Sequence, residues 1–182
     1  MACGAGANWV QYRCMTKPED ELIDEINEIA EICDEWGATL IITNHYDLLA
    51  RVDAQGVHIE DLEADFVTIR KTIGDDKTLG ASATSIFEIL KVQSLGVVDY
   101  CGYGPFAHTD TKPNKHPLLG HEGYRQLEKG SVEIPVIAVG GIQLKDVENL
   151  LKTGVYGIAV SAAVNLSLDP VGMVKAFYKK MY

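Results

Sequence analysis

Short runs of β-branched and other apolar residues alternate with amphipathic stretches along the whole chain, the repeating signature of strand followed by helix. The pattern predicts strands over 9–13, 39–43, 56–59, 78–82, 98–102, 135–140 and 157–161. Between them run helical stripes with recognisable ends. Thr16 and Glu19 have capping-box spacing ahead of Leu22, Ile26, Ile29, Cys33 and Trp36, with Gly37 as the stop. Ser85 and Glu88 have the same spacing ahead of Ile86, Ile89, Leu90 and Leu95, ending at Gly96. Leu144, Val147, Leu150 and Leu151 form a third stripe, closed by Gly154. Asp169 followed by Pro170 opens a fourth, which carries Val171, Val174, Tyr178 and Met181.

Strands that are apolar on both faces and separated by helices imply a parallel sheet, either a closed barrel or an open doubly wound one. No G-x-G-x-x-G follows a strand, which argues against a dinucleotide fold. Phosphate-ready loops after the last strands are the habit of (β/α)₈ barrels, so the expected fold is α/β, a TIM (β/α)₈ barrel. Seven strands are predicted rather than eight. The opening MACGAGA reads as the end of a helix, so the expectation is a single barrel domain over 1–182 that lacks its first strand and most of its first helix.

Composition changes little in this picture. With 47% apolar and 23% charged residues in 182, the chain is ordinary globular material with room for a core. No run is long enough to span a bilayer, and the N-terminus lacks the pattern of a signal peptide; a cytoplasmic enzyme is expected. The four cysteines lack C-x-x-C spacing, and Cys33 and Cys101 read as core thiols. Charge matters more. A net charge of −10 leaves no basic stripe, so neither nucleic acid nor an anionic membrane is expected as a partner. A phosphate ligand must then be held by local donors and a metal ion.

Such donors cluster after three consecutive strands: YCGYGPFAHTDTK (100–112), IPVIAVGGI (134–142) and YGIAVSAAV (156–164). Hydroxyls at Thr109 and Thr111 with the Lys112 ammonium suit a pyrophosphate. Gly140 and Gly141 allow close backbone approach, and Val160 and Ser161 offer N–H groups. Elsewhere on the expected rim, Gln11 and Arg13 alternate on one strand and point to the same side. Asn44 with Asp61 or Glu63 offers oxygen ligands for Mg²⁺. His58 is either a satisfied core histidine or a site residue. Tyr103 and Phe106 either stack on a flat heterocycle or fill the rim.

Taken in order, VQYR (10–13), GVHI (56–59), Gly80-Ala81-Ser82, GYGPFAHTDTK (102–112), PLLGHEGYR (117–125), PVIAVGGI (135–142) and VSAAV (160–164) resemble the thiamine-phosphate synthases, from about Gly6 to the C-terminus. The resemblance implies a transferase that joins a hydroxymethylpyrimidine diphosphate to a thiazole phosphate with Mg²⁺, releasing pyrophosphate. It implies a catalytic set of Arg13, Ser82 and Lys112, with Gln11 and Thr111 also serving the pyrimidine and its diphosphate. Thr43 and Asn44 add substrate contacts, Thr109 belongs to the thiazole-side loop, and Gly141, Val160 and Ser161 hold the thiazole phosphate. The family's metal positions fall on Asn44 and Glu63, with Asp61 in reserve. The chain departs from the family at Met15, where a lysine is usual, and at Thr43-Asn44, where an Asn-Asp pair is usual. The short N-terminus adds a third departure, read either as a truncated enzyme or as a homo-oligomer whose partner subunit covers the gap. A thiazole tautomerase, a non-catalytic binder of thiazole phosphate or thiamine phosphate, and a generic phosphate-binding barrel are the rival readings.

Overall fold

The computed structural model describes residues 1–109 and 116–182, apart from the side chains of Glu128 and Lys129. Seven strands form one parallel sheet in sequential order: β1 (Trp9–Tyr12), β2 (Thr39–Thr43), β3 (Gly56–Ile59), β4 (Thr78–Ala83), β5 (Tyr100–Tyr103), β6 (Val136–Val139) and β7 (Gly157–Ala159). The helices are α1 (Glu19–Glu35), α2 (Phe66–Ile73), α3 (Ile86–Ser94), α4 (Gly120–Arg125), α5 (Val147–Leu151), α6 (Ala162–Asn165) and α7 (Pro170–Met181). This is a TIM-like arrangement in which β1 and β7 are the sheet edges, and no eighth strand joins them among the described residues. All seven strands lie where the apolar runs predict them.

Side chains alternate across the sheet. One face, including Leu40, Ile42, Val57, Ile59, Leu79 and Ala81, packs under α1 and α2 with Leu22, Ile26, Cys33, Phe66 and Ile69. A second cluster unites Cys101, Tyr103, Val136 and Ala138 with Ile89, Tyr124 and Leu150. Cys33 and Cys101 are buried free thiols, as the sequence predicts. Tyr103 and Phe106 are also core residues. The Tyr103 hydroxyl donates to the Gly123 carbonyl, so both rings fill the structure and neither offers itself to a heterocycle.

Two helix starts follow the predicted chemistry. Ser85 and Glu88 form a reciprocal capping box, and Asp169 accepts from the Gly172 N–H with Pro170 in the first helical position. The box expected at Thr16 does not form, and α1 begins at Glu19 behind an extended Pro18. A proline bars the preceding residue from helical geometry, so Lys17 cannot be the first helical residue. Trp36 departs from the stripe as well, at 56% exposed; its ring covers Gly4, where an added Cβ would lie 3.2 Å from it.

The other face of the sheet lines the interior, and it is filled by unequal partners. Gly80 has no side chain because the Tyr100 ring lies 2.2 Å from where a Cβ would stand, and Gly102 sits likewise beneath His58. At the two edge strands the same face is open, with Trp9, Gln11 and Ala159 exposed. Arg70, which carries no sequence signal, is a buried staple. It donates to the carbonyls of Gly74, Lys77 and Val97 and pairs with Asp99, tying α2 to the starts of β4 and β5.

Candidate active site

Because every strand is parallel, all seven C-terminal ends open on one rim, and the polar residues predicted there fall into two groups. The first lies on the ends of β1 to β4. Gln11 donates to the Thr43 hydroxyl at 3.1 Å, joining β1 to β2 on the interior side. Arg13, just past β1, meets Glu60, just past β3, in a two-point pair: Nε to Oε1 at 3.0 Å and Nη2 to Oε2 at 3.2 Å. Asn44, at φ +66°, turns the chain out of β2 in a left-handed conformation that asparagine tolerates. Its Oδ1 accepts from the Glu60 N–H at 2.9 Å, and its Nδ2 lies 3.7 Å from Met15 Sδ. His45 Nε2 reaches the Cys14 carbonyl at 3.0 Å. The ends of three strands are thereby cross-linked around Arg13.

Beneath this cluster lies a buried polar chain. His58, 5% exposed, bonds through Nε2 to Ser82 Oγ at 2.9 Å and through Nδ1 to the Tyr100 hydroxyl at 3.0 Å. The two sequence readings of His58 merge here: it is a satisfied interior histidine, and one of its partners is the serine predicted for the site.

The second group belongs to β5, β6 and β7. Gly140 and Gly141 have φ of +92° and +68°, and a Cβ on Gly141 would fall 2.4 Å from the His108 carbonyl oxygen. The glycine pair is thus folded directly against the loop leaving β5, which is locked to it by Phe106 N–H to Val139 O and Ala107 N–H to Gly140 O, both 2.9 Å. Thr109 ends the described part of that loop; Thr111 and Lys112 lie outside the described residues. The Gly141 and Ser161 N–H groups donate to no acceptor among the described residues. Val160 precedes Ser161 at the end of β7, and the Ser161 hydroxyl accepts from Asn165 Nδ2 at 3.3 Å.

Each of the three oxygen ligands expected for Mg²⁺ has a partner of its own in the fold. No cluster of three His, Cys, Asp or Glu side chains suited to a metal exists among the described residues. Glu63 pairs with Lys91 at 2.8 Å and points to solvent. Asp61 accepts the Glu63 N–H through Oδ1, and its Oδ2 has no partner among the described residues. Glu60 is coupled to both Arg13 and Asn44, its carboxylate to the guanidinium and its backbone N–H to the Asn44 amide oxygen. Only the fold reveals this, because no spacing rule links positions 13, 44 and 60.

The rim also carries an activated thiol. Cys14, beside Arg13, is lowered to about 7 by the backbone N–H groups of Thr16 and then Lys17. Cys33 and Cys101 are pushed the other way, to about 11 and about 12, chiefly by burial.

The sequence profile described as thiamine monophosphate synthase matches residues 1–164. A thiamine-phosphate synthase of Phocaeicola vulgatus is 34% identical over 179 residues, covering 96% of this chain and 86% of the relative. That of Caldivirga maquilingensis is 34% identical over 176 residues, covering 96% and 83%. Among solved structures, a thiamine phosphate pyrophosphorylase from Pyrococcus furiosus superposes with a TM-score of 0.88 at 30% identity, covering 99% of this chain and 85% of that one. A 3-hexulose-6-phosphate synthase, with a TM-score of 0.73 at 12% identity, shares the fold alone. With the profile spanning most of its length and relatives matched nearly end to end, the chain belongs to the thiamine monophosphate synthase family.

Proposed function

We propose that the chain joins 4-amino-2-methyl-5-hydroxymethylpyrimidine diphosphate to a thiazole phosphate, giving thiamine phosphate and pyrophosphate. The observation that carries this reading is the gathering of Arg13, Asn44, Glu60 and Ser82 on one part of the rim while Gly141 and Ser161 hold N–H donors on another. Two anionic substrates need two such places at one mouth. The seven strands are then read as the second to eighth of a (β/α)₈ barrel.

The chemistry asks for no side-chain nucleophile. The exocyclic amine of the pyrimidine pushes electrons toward its methylene carbon as the C–O bond to diphosphate breaks, and the thiazole nitrogen supplies the pair for the new C–N bond. The protein's part is alignment, stabilisation of the leaving group and exclusion of water. Arg13 gives a planar, two-point donor to the diphosphate once Glu60 yields it. Lys112 and Thr111 supply a point charge and a hydroxyl to the same group, Thr109 lies on the thiazole side, and Gln11 and Thr43 form the floor under the pyrimidine. Gly141, Val160 and Ser161 take the thiazole phosphate through backbone N–H groups.

Mg²⁺ suits this donor set, because it is held by one or two carboxylates together with substrate phosphates rather than by a protein cage. Asn44 and Asp61 would hold it, with Glu63 available only after leaving Lys91, and it would neutralise charge on the departing diphosphate.

Lys112→Ala tests the reading. A synthase loses turnover by about 100-fold or more while its affinity for thiazole phosphate changes little. Loss of both together, or of neither, contradicts the assignment of Lys112 to the diphosphate. The enzyme acts on small molecules, and no helix among the described residues is long and apolar enough to cross a membrane.

A further inference from the structure

The buried chain under the rim has a direction. Trp9, on edge strand β1, packs edge to face against Tyr100 at a centroid distance of 5.6 Å. The Tyr100 proton needs an acceptor in a position only 7% exposed, and the group in place is His58 Nδ1 at 3.0 Å. A neutral imidazole that accepts at Nδ1 carries its proton on Nε2, and that proton points to Ser82 Oγ at 2.9 Å. Ser82 oxygen is thereby an acceptor from below, and its own proton is left for a ligand. In the opposite sense, with His58 Nδ1–H donating, the Tyr100 proton would be buried without a partner, which is the costlier arrangement.

We infer that Tyr100 is a positioning residue that fixes the His58 tautomer, and through it leaves the Ser82 hydroxyl proton for the substrate. The substrate atom that takes this proton is an acceptor, a ring nitrogen or a phosphate oxygen. The glycines at 80 and 102 fit this device: they clear the space in which the two rings align, and a side chain on Gly80 would collide with Tyr100. The consequence for turnover rests on the transferase reading of the site, whereas the tautomer does not.

Two measurements separate the two. In the full-length protein, ¹⁵N shifts of the His58 ring should show Nδ1 unprotonated and Nε2 protonated. Tyr100→Phe keeps the ring and removes only the hydroxyl, and it should mix the tautomers of His58. In the pyrophosphate-release assay, Tyr100→Phe should lower kcat roughly tenfold with the KM for thiazole phosphate unchanged. A wild-type His58 protonated on Nδ1 overturns the inference, as does a Tyr100→Phe protein with unchanged ring shifts or full kcat. If wild type shows the expected tautomer but releases no pyrophosphate, the transferase reading fails and the hydrogen-bond direction stands.

Discussion

Arg13 and Glu60 hold each other in a fork-to-carboxylate pair across the ends of β1 and β3, with nitrogen-to-oxygen distances of 3.0 and 3.2 Å. The guanidinium that should grip a diphosphate is thus neutralised before the substrate arrives. The pair is partly exposed, so its net strength is small, and a multiply charged diphosphate can displace it.

Glu60→Gln should therefore lower the KM for the pyrimidine diphosphate by about threefold, the range expected when a weak competing pair is lost. Arg13→Ala should reduce kcat/KM by roughly 100-fold, and Arg13→Lys should recover only part of it, because a point charge cannot make two parallel bonds. Steady-state kinetics with varied diphosphate substrate checks all three. An unchanged or raised KM in Glu60→Gln would show that Glu60 assists binding instead.

The two rim acids should separate by their metal dependence. Asp61 has a carboxylate oxygen with no partner among the described residues, whereas Glu63 is tied to Lys91. Asp61→Asn should raise the Mg²⁺ concentration for half-maximal activity several-fold, and Glu63→Gln should leave it nearly unchanged. A Mg²⁺ titration of each variant decides the assignment, and the reverse ranking would move the metal contact to Glu63.

Gly141→Ala should be destabilising and should weaken thiazole phosphate binding. The new methyl would meet the carbonyl oxygens of Ala107 and His108 at 2.7 and 2.4 Å, at a φ of +68°. Strain of this kind costs about 1–3 kcal/mol. Thermal unfolding and the KM for thiazole phosphate should both register it, while the KM for the diphosphate substrate stays close to wild type.

Cys14 should be the fast-reacting thiol of the folded chain. Its acidity is raised because backbone N–H groups of Thr16 and Lys17 stabilise the thiolate, which is therefore half populated near pH 7 and falls away below it. Alkylation followed by peptide mapping should give a rate at Cys14 that rises with a midpoint near pH 7. Cys33 and Cys101 should stay unmodified until the protein is denatured. Unfolding removes the N–H donors, so Cys14 should then react more slowly at pH 7.

Much of this molecule is legible in its sequence, and the boundary is physical. The inner strands are readable because both of their faces are covered, which enforces continuous apolar runs such as Leu40 to Thr43. The Ser85 and Asp169 caps are readable because capping is local. The α1 start is misread at Thr16, because Pro18 overrides the spacing, and Trp36 is misread because the helix stripe ends one residue too early to bury it. Helix α2 goes unnamed because its eight residues are too few to repeat a stripe. At the site, residue types and their order single out Arg13, Ser82 and Gly141 as candidates. They cannot show that Glu60 pairs with Arg13, or that Tyr100 reaches His58, since such pairs depend on neighbouring strands falling into register.

The central claim is that two anionic substrates meet at this rim and exchange a diphosphate for a ring nitrogen. Both phosphorylated precursors incubated with the chain and Mg²⁺ should release pyrophosphate in equal amount to the thiamine phosphate formed, and omission of either precursor should abolish release. Absence of pyrophosphate with both present, or release that continues without the thiazole phosphate, would contradict the account.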